Sequence, residues 1–178
     1  MSDAVVIPGG RFGPAAGLLM YAGAAAELRG ATVHRHTWSG QPPRPFEATA
    51  EGWVSGEITP LLGRLGGRPL LIAKSLGTYA ASVAAERSLP AVWLTPLLTE
   101  PSVSGALARA TAPFLLVGGT ADEYWDAAMA RRLSPHVLEI EGADHGMYVP
   151  GPLTDSIEVV ARVVVAIQEF LTAITWPS

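Results

Sequence analysis

Six short apolar segments alternate with longer helical stretches, and this alternation restricts the possible folds more than any other feature of the sequence. The apolar segments predict strands at 4–8, 31–35, 69–73, 90–95, 113–117 and 136–141. The stretches between and after them predict helices at 13–29, 47–65, 76–87, 102–110, 123–133 and 154–174. Strands that alternate with helices form parallel sheets, because each helix returns the chain to the same end of the sheet. We therefore predict an α/β fold of three layers, with a doubly wound parallel sheet between helices.

The composition agrees with one domain built around such a sheet, spanning 1–178. Apolar residues make up 49% of the 178 residues and charged residues only 16%, which suits strands that helices cover on both faces. The net charge is −4 and the basic residues are scattered, so nothing indicates nucleic-acid binding. The apolar segment 157–174 keeps helical spacing and contains charged residues. It predicts a helix against the sheet and no membrane span.

Two features bear on where the protein works. The sequence has no cysteine, so it has no disulfide framework and fits a reducing compartment. The apolar residues 4–7 are too few for the core of a signal peptide, and no basic region precedes them. We therefore expect a cytoplasmic protein.

A serine lies at a sharp turn between a predicted strand and a predicted helix. The segment 73–77, AKSLG, follows the apolar run 69–72 and precedes an alanine-rich stretch. The residues two before and two after Ser75 are small, as a tight turn requires, because larger side chains would collide with the neighbouring strand and helix. Such a turn holds the serine oxygen at the edge of the sheet, at the N-terminus of the helix. The alternative is an ordinary serine N-cap after a buried strand.

This segment resembles the nucleophile elbow of the α/β-hydrolase family, whose usual form is G-x-S-x-G. An alanine stands in place of the first glycine and is still small enough for the turn. The resemblance implies that Ser75 is a nucleophile and that the backbone N–H of Leu76 donates to the oxyanion formed on the substrate. In the family a second donor comes from the loop after an early strand, here 8–14. Gly10 and Arg11 both fit that role.

A serine nucleophile needs a base, and the base needs an orienting acid. His145 lies in a turn-rich loop directly after the last predicted strand, where the family carries its catalytic histidine. Asp122 follows the predicted strand 113–117 in a turn of the kind that carries the family's acid. The order Ser75, Asp122, His145 is the order in α/β-hydrolases, so the resemblance implies a catalytic triad of these residues. The other three histidines lie within or beside predicted strands: His34, His36 and His136.

Other acidic residues near Asp122 and His145 compete for the role of the acid. Glu123 and Asp126 fall inside the predicted helix 123–133 and would point less reliably toward the histidine. Asp144 adjoins His145, and a neighbouring side chain seldom reaches the imidazole in good geometry. Asp122 itself also fits as a cap for the predicted helix, a role compatible with that of the acid.

The resemblance also implies how this chain departs from larger members of the family. The family usually has eight strands, and this chain is expected to begin at the third and to keep six, in the order 2-1-3-4-5-6. Only residues 95–101 lead on from the fourth predicted strand, so we expect no cap domain and an open, shallow substrate site. Its expected walls are side chains of the surrounding loops: Phe12, Trp38, Leu76, Leu97, Leu98, Met147 and Tyr148.

The glycines after the first predicted strand raise a second possibility, a nucleotide site. The segment 9–13 lacks the G-x-G-x-x-G spacing, and the second predicted strand ends without the acidic residue that binds a ribose. Arg35, at the end of the second predicted strand, could bind the 2′-phosphate of NADP, so an NADP site stays an alternative. The segment before Lys74 lacks the glycines of a P-loop. The histidines at 34 and 36 stand alone, so no metal site is expected.

The hypothesis from the sequence is a serine hydrolase that cleaves a small ester or thioester through an acyl-enzyme and needs no cofactor. The chain also resembles small dienelactone-hydrolase-like proteins, but those use a cysteine nucleophile and this chain has none. The alternative is a non-catalytic protein of the same fold that binds a small ligand. The sequence leaves the oligomeric state open.

Overall fold

A six-stranded sheet forms the centre of the protein in the computed structural model, which describes residues 2–15 and 17–177. Its strands are β1 Asp3–Ile7, β2 Thr32–Arg35, β3 Leu70–Lys74, β4 Ala91–Leu94, β5 Phe114–Gly119 and β6 His136–Ile140. Every neighbouring pair is parallel, and the order is β2-β1-β3-β4-β5-β6. The predicted topology is therefore confirmed. All the strands end at one edge, and the loops that follow them meet there.

Helices cover both faces of this sheet and give the three predicted layers. They are α1 Gly17–Glu27, α2 Ala50–Leu62, α3 Ala81–Arg87, α4 Pro101–Arg109, α5 Ala127–Leu133 and α6 Leu153–Ala173. Side chains alternate along each strand, so Val5 joins the core under α2 to α5, and Val6 joins the core under α1 and α6. None of the described helices is long and apolar enough to cross a membrane.

Among the helices that begin differently from the sequence prediction, two follow the strands that lead to Ser75 and Asp122. The predicted helix 76–87 is divided into a 3₁₀ helix, Ser75–Ala80, and α3. The predicted helix 123–133 begins only at Ala127, because the Asp126 carboxylate accepts a hydrogen bond of 2.8 Å from the backbone N–H of Met129 and caps α5. Residues 120–126 are therefore free to form turns after β5.

Candidate active site

Ser75 occupies a strained turn between β3 and the 3₁₀ helix. Its backbone φ of 51° lies in the left-handed region, which non-glycine residues rarely adopt. Gly77 allows the helix to approach the end of β1, because a Cβ at that position would lie 2.7 Å from the carbonyl oxygen of Pro8. Ala73 is fully buried in the sheet. The small residues around the serine thus have the steric role that the pattern predicts.

Asp122 is held in a turn that follows β5. Its Oδ1 accepts a hydrogen bond of 3.0 Å from the backbone N–H of Tyr124. A glycine ends β5 because the chain that leads to His145 passes directly against it: a Cβ at Gly119 would lie 2.1 Å from the carbonyl oxygen of Ala143. This close approach brings the loop after β5 against the loop after β6.

The side chains of Ser75, His145 and Asp122 form one hydrogen-bonded row. His145 Nε2 lies 2.8 Å from Ser75 Oγ, and His145 Nδ1 lies 2.8 Å from Asp122 Oδ2. The Asp122 side chain is fully buried, whereas 32% of the His145 side chain is exposed. The three residues follow β3, β5 and β6, so the parallel topology brings them to the same edge of the sheet. The row can pass a proton from the serine to an oriented imidazole.

The other histidines lie away from Ser75 and have their own partners. His34 Nε2 lies 2.8 Å from Asp3, and His36 Nε2 lies 3.1 Å from Glu57. Burial lowers the pKa of His36, although Glu57 acts against this shift. The ring of His136, at the start of β6, lies with its centroid 5.1 Å from that of Phe170.

Two of the competing acids, Asp126 and Asp144, have local partners. Glu123 and Asp126 were predicted to lie inside a helix and therefore to point less reliably toward His145. This prediction is wrong, because both residues precede α5. Asp126 caps α5, as described above. Asp144 Oδ1 accepts hydrogen bonds of 2.8 Å from the N–H of Gly146 and 3.0 Å from the N–H of Tyr148. It therefore fastens the loop that carries His145.

The loop after β1 lies along the Ser75 turn. A Cβ at Gly9 would lie 3.4 Å from Ser75 Cβ, and one at Gly10 would lie 3.7 Å from Leu76 Cδ2. Trp38 Nε1 donates a hydrogen bond of 3.0 Å to the Gly9 carbonyl oxygen. In a trans peptide the N–H points opposite to the carbonyl, so this bond directs the Gly10 N–H away from Trp38. The oxyanion roles of Leu76, Gly10 and Arg11 stay predictions.

The expected pocket walls need correction at several positions. Leu97 and Leu98 are fully buried in the core under α2 to α5, and Met147 is buried in the core under α1 and α6. The Leu76 side chain is also fully buried. These side chains present no surface to a ligand in this conformation, because both faces of the sheet use them for packing. Of the other three, Phe12 and Tyr148 are exposed and Trp38 is half-buried.

Lys74 contacts the site, a role that no sequence pattern predicted. Its Nζ donates hydrogen bonds of 2.9 Å to Thr95 Oγ1 and 2.9 Å to the carbonyl oxygen of His145. Burial lowers the pKa of Lys74, and the nearby carboxylates of Asp122 and Asp144 act against this shift. The ammonium group thus joins the end of β4 to the loop that carries the histidine. The sequence signal that could have indicated this contact is a charged residue between an apolar strand and Ser75.

Two aromatic residues near His145 were also missed. The ring centroid of Tyr124 lies 5.0 Å from that of His145, with the rings nearly perpendicular at 84°. The ring centroid of Phe46 lies 5.3 Å from that of Tyr124. Because Phe46 lies far from the other residues in the sequence, no local pattern indicated this contact.

Comparisons with solved structures identify the fold. Est1E from Butyrivibrio proteoclasticus superposes with a TM-score of 0.75 at 13% identity, covering 98% of this chain and 88% of that one. The mouse alpha/beta hydrolase domain-containing protein 10 superposes with a TM-score of 0.65 at 14% identity, covering 96% of this chain and 90% of that one. A monoacylglycerol lipase from Paleococcus ferrophilus superposes with a TM-score of 0.64 at 18% identity, covering 92% of this chain and 94% of that one. No protein-family model matches the sequence, and no curated protein matches it significantly. The chain has the α/β-hydrolase fold.

Proposed function

We propose that the protein is a serine hydrolase that cleaves small carboxylic esters or thioesters through an acyl-enzyme intermediate. The observation that carries this proposal is the row of two 2.8 Å contacts from Ser75 through His145 to Asp122. A nucleophile that contacts a base, which in turn contacts a buried acid, is the arrangement that covalent acyl transfer requires. The α/β-hydrolase fold is compatible with this chemistry, although a fold alone does not assign it.

In the proposed mechanism, Ser75 Oγ attacks the acyl carbon while His145 Nε2 takes its proton. The negative charge on the carbonyl oxygen is stabilised by the N–H groups of Leu76 and of Gly10 or Arg11. His145 then donates its proton to the leaving alcohol or thiol, and the acyl–serine ester remains. Water attacks this ester with His145 again as the base, which releases the carboxylic acid and restores Ser75.

Asp122 has two tasks in this proposal. Its Oδ2 accepts a hydrogen bond from the N–H at His145 Nδ1, and this keeps the proton on Nδ1 and leaves Nε2 free to act as the base toward Ser75. Its negative charge stabilises the imidazolium that forms during attack. These steps need no metal or cofactor. We propose that a single domain without a cap carries them out in the cytoplasm.

The site should accept short acyl chains and gain little from long ones. The connection from β4 to α4 comprises only residues 95–100, which leaves no segment of lid size there. Each CH₂ contributes about 0.8 kcal/mol only when it leaves water, and an open surface removes little of a long chain from water. We therefore expect kcat/KM to be highest for acyl groups of about two to four carbons and flat or falling beyond them.

A chain-length series of nitrophenyl esters, assayed with multiple turnovers below and above their solubility limits, tests this expectation. A steady rise in kcat/KM toward long chains, or a rate increase at the emulsion point, would contradict the open site and indicate a lipase. The alternative hypothesis, a non-catalytic ligand-binding protein, predicts no turnover of any ester in the series.

Lys74 should affect catalysis through the position of His145. Lys74→Met removes both hydrogen bonds of the ammonium group, and displacement of a catalytic group costs roughly 10- to 100-fold in rate. We expect kcat for a short nitrophenyl ester to fall by that factor with little change in KM. Arg64→Met is the matched control, because Arg64 Nε donates to the Pro60 carbonyl on the exposed surface. An unchanged kcat in folded Lys74→Met protein would refute the positioning role.

A further inference from the structure

The two aromatic residues beside His145 have no role in the mechanism described above. Tyr124 packs against the imidazole, and Phe46 packs against Tyr124. Phe46 is 45% exposed. A series of ring contacts therefore leads from His145 through Tyr124 to Phe46, a large apolar side chain that contacts solvent. We refer to Phe46 and Tyr124 as the aromatic subsite.

Phe46 keeps this position although its backbone is strained and its apolar ring is exposed. Its φ is 69°, in the left-handed region that a bulky side chain rarely adopts. Its backbone N–H donates a hydrogen bond of 3.0 Å to the hydroxyl of Tyr79, which is itself buried in the core. An exposed aromatic ring in a strained backbone conformation is unfavourable unless something uses it, and strain of this kind is concentrated at ligand sites.

The chemistry of acyl transfer decides which part of a substrate would meet this subsite. His145 Nε2 must reach the leaving oxygen or sulfur to donate a proton to it. The leaving group therefore lies against the imidazole, whereas the acyl group lies between Ser75 and the oxyanion donors. Because Tyr124 contacts the imidazole and Phe46 contacts Tyr124, a leaving group that lies against His145 has these two rings as its aromatic neighbours.

We propose, resting on the hydrolase function above, that the aromatic subsite binds an aromatic ring in the leaving group. The substrate class is then a short-chain acyl ester or thioester of an arylalkyl alcohol or thiol. The rings of Phe46 and Tyr124 are tilted by 38° to each other. An aromatic ring can pack against them in an offset or edge-to-face geometry, which a saturated ring of similar size does not reproduce.

Two acetate esters that differ only in the leaving ring test this proposal. The alcohols 2-phenylethanol and 2-cyclohexylethanol have similar acidity, and the acyl-enzyme is the same for both esters, so the ratio of kcat/KM reports binding of the ring during acylation. Hydrophobic area alone would favour the larger cyclohexyl ring. We expect the phenyl ester to be preferred about three- to tenfold, the range that aromatic pairs contribute.

Phe46→Leu should reduce this preference to about twofold or less, since leucine keeps apolar volume but offers no ring. Tyr21→Leu is the matched control, because Tyr21 lies on α1 and is similarly exposed at 48%; it should keep the wild-type ratio. Ethyl phenylacetate and ethyl cyclohexylacetate move the ring to the acyl side, and their kcat/KM values should differ only by the ratio of their rates of alkaline hydrolysis.

Equal rates for the two acetates, a preference that survives Phe46→Leu, or a phenyl preference on the acyl side larger than that of alkaline hydrolysis would each overturn the proposal. A fluorophosphonate probe separates this failure from that of the proposed function. If Ser75 reacts with the probe and the acetate ratio is one, only the aromatic subsite is refuted. If Ser75 does not react and neither ester is hydrolysed, the hydrolase function and the subsite are both refuted.

Discussion

Replacement of His145 by alanine should lower kcat for a short nitrophenyl ester by about 10³-fold or more. The reason is that Nε2 is the group within hydrogen-bond distance of Ser75 Oγ, and a serine hydroxyl without a base is a poor nucleophile. The imidazole is partly exposed, so its removal leaves a space that water can enter rather than a void in the core. Steady-state kinetics on purified variants, with the unfolding temperature as a check on folding, measure this effect.

His136→Ala and His36→Ala are the controls for the histidine assignment. His136 lies at the start of β6 beside Phe170, and His36 pairs with Glu57, so neither contacts Ser75. Both variants should keep kcat close to that of the parent protein. Equal losses in His136→Ala and His145→Ala would contradict the placement of the base after the last strand.

Asp122→Asn should lower kcat about 10³- to 10⁴-fold while the fold is kept. The asparagine oxygen can still accept the hydrogen bond from the N–H of Tyr124. Its amide nitrogen would then face His145 Nδ1 and donate to it. This favours the tautomer that carries its proton on Nε2, which cannot act as a base toward Ser75. Steady-state kinetics and circular dichroism together separate this loss from unfolding.

Asp126→Asn is the matched control for the acid. Asn is as good an N-cap as Asp, so α5 should keep its N-terminal hydrogen bond to the N–H of Met129. The variant should show a small change in kcat compared with Asp122→Asn. The reverse ranking, with the larger loss in Asp126→Asn, would move the acid to the residue that caps α5.

The sheet and the three polar side chains at its edge were predictable because both follow from local patterns. Apolar runs separated by helical stretches dictate parallel strands, and parallel strands all end at one edge. Ser75, Asp122 and His145 each follow a different apolar run, so the topology alone brings them to that edge. The tightness of the turn at Ser75 was also readable, because Gly77 stands where a Cβ would collide with the backbone.

The walls of the site were not predictable in the same way. An apolar residue after a strand can face either the core or the ligand, and Leu97 and Leu98 face the core because α2 to α5 pack over them. The contacts of Lys74 with Thr95 and His145 join residues far apart in the sequence. The start of α5 depended on which of several acids capped it. Such choices are decided by tertiary packing rather than by periodicity.

Covalent labelling with a fluorophosphonate probe, followed by mass-spectrometric mapping of the modified residue, tests the central claim most directly. The probe reacts with a serine that a neighbouring base activates, and Ser75 has this base at 2.8 Å. We expect modification of Ser75 alone, and no modification in Ser75→Ala or in His145→Ala. Modification of another serine, such as Ser39 or Ser102, or labelling that persists unchanged in Ser75→Ala, would contradict the assignment of the nucleophile.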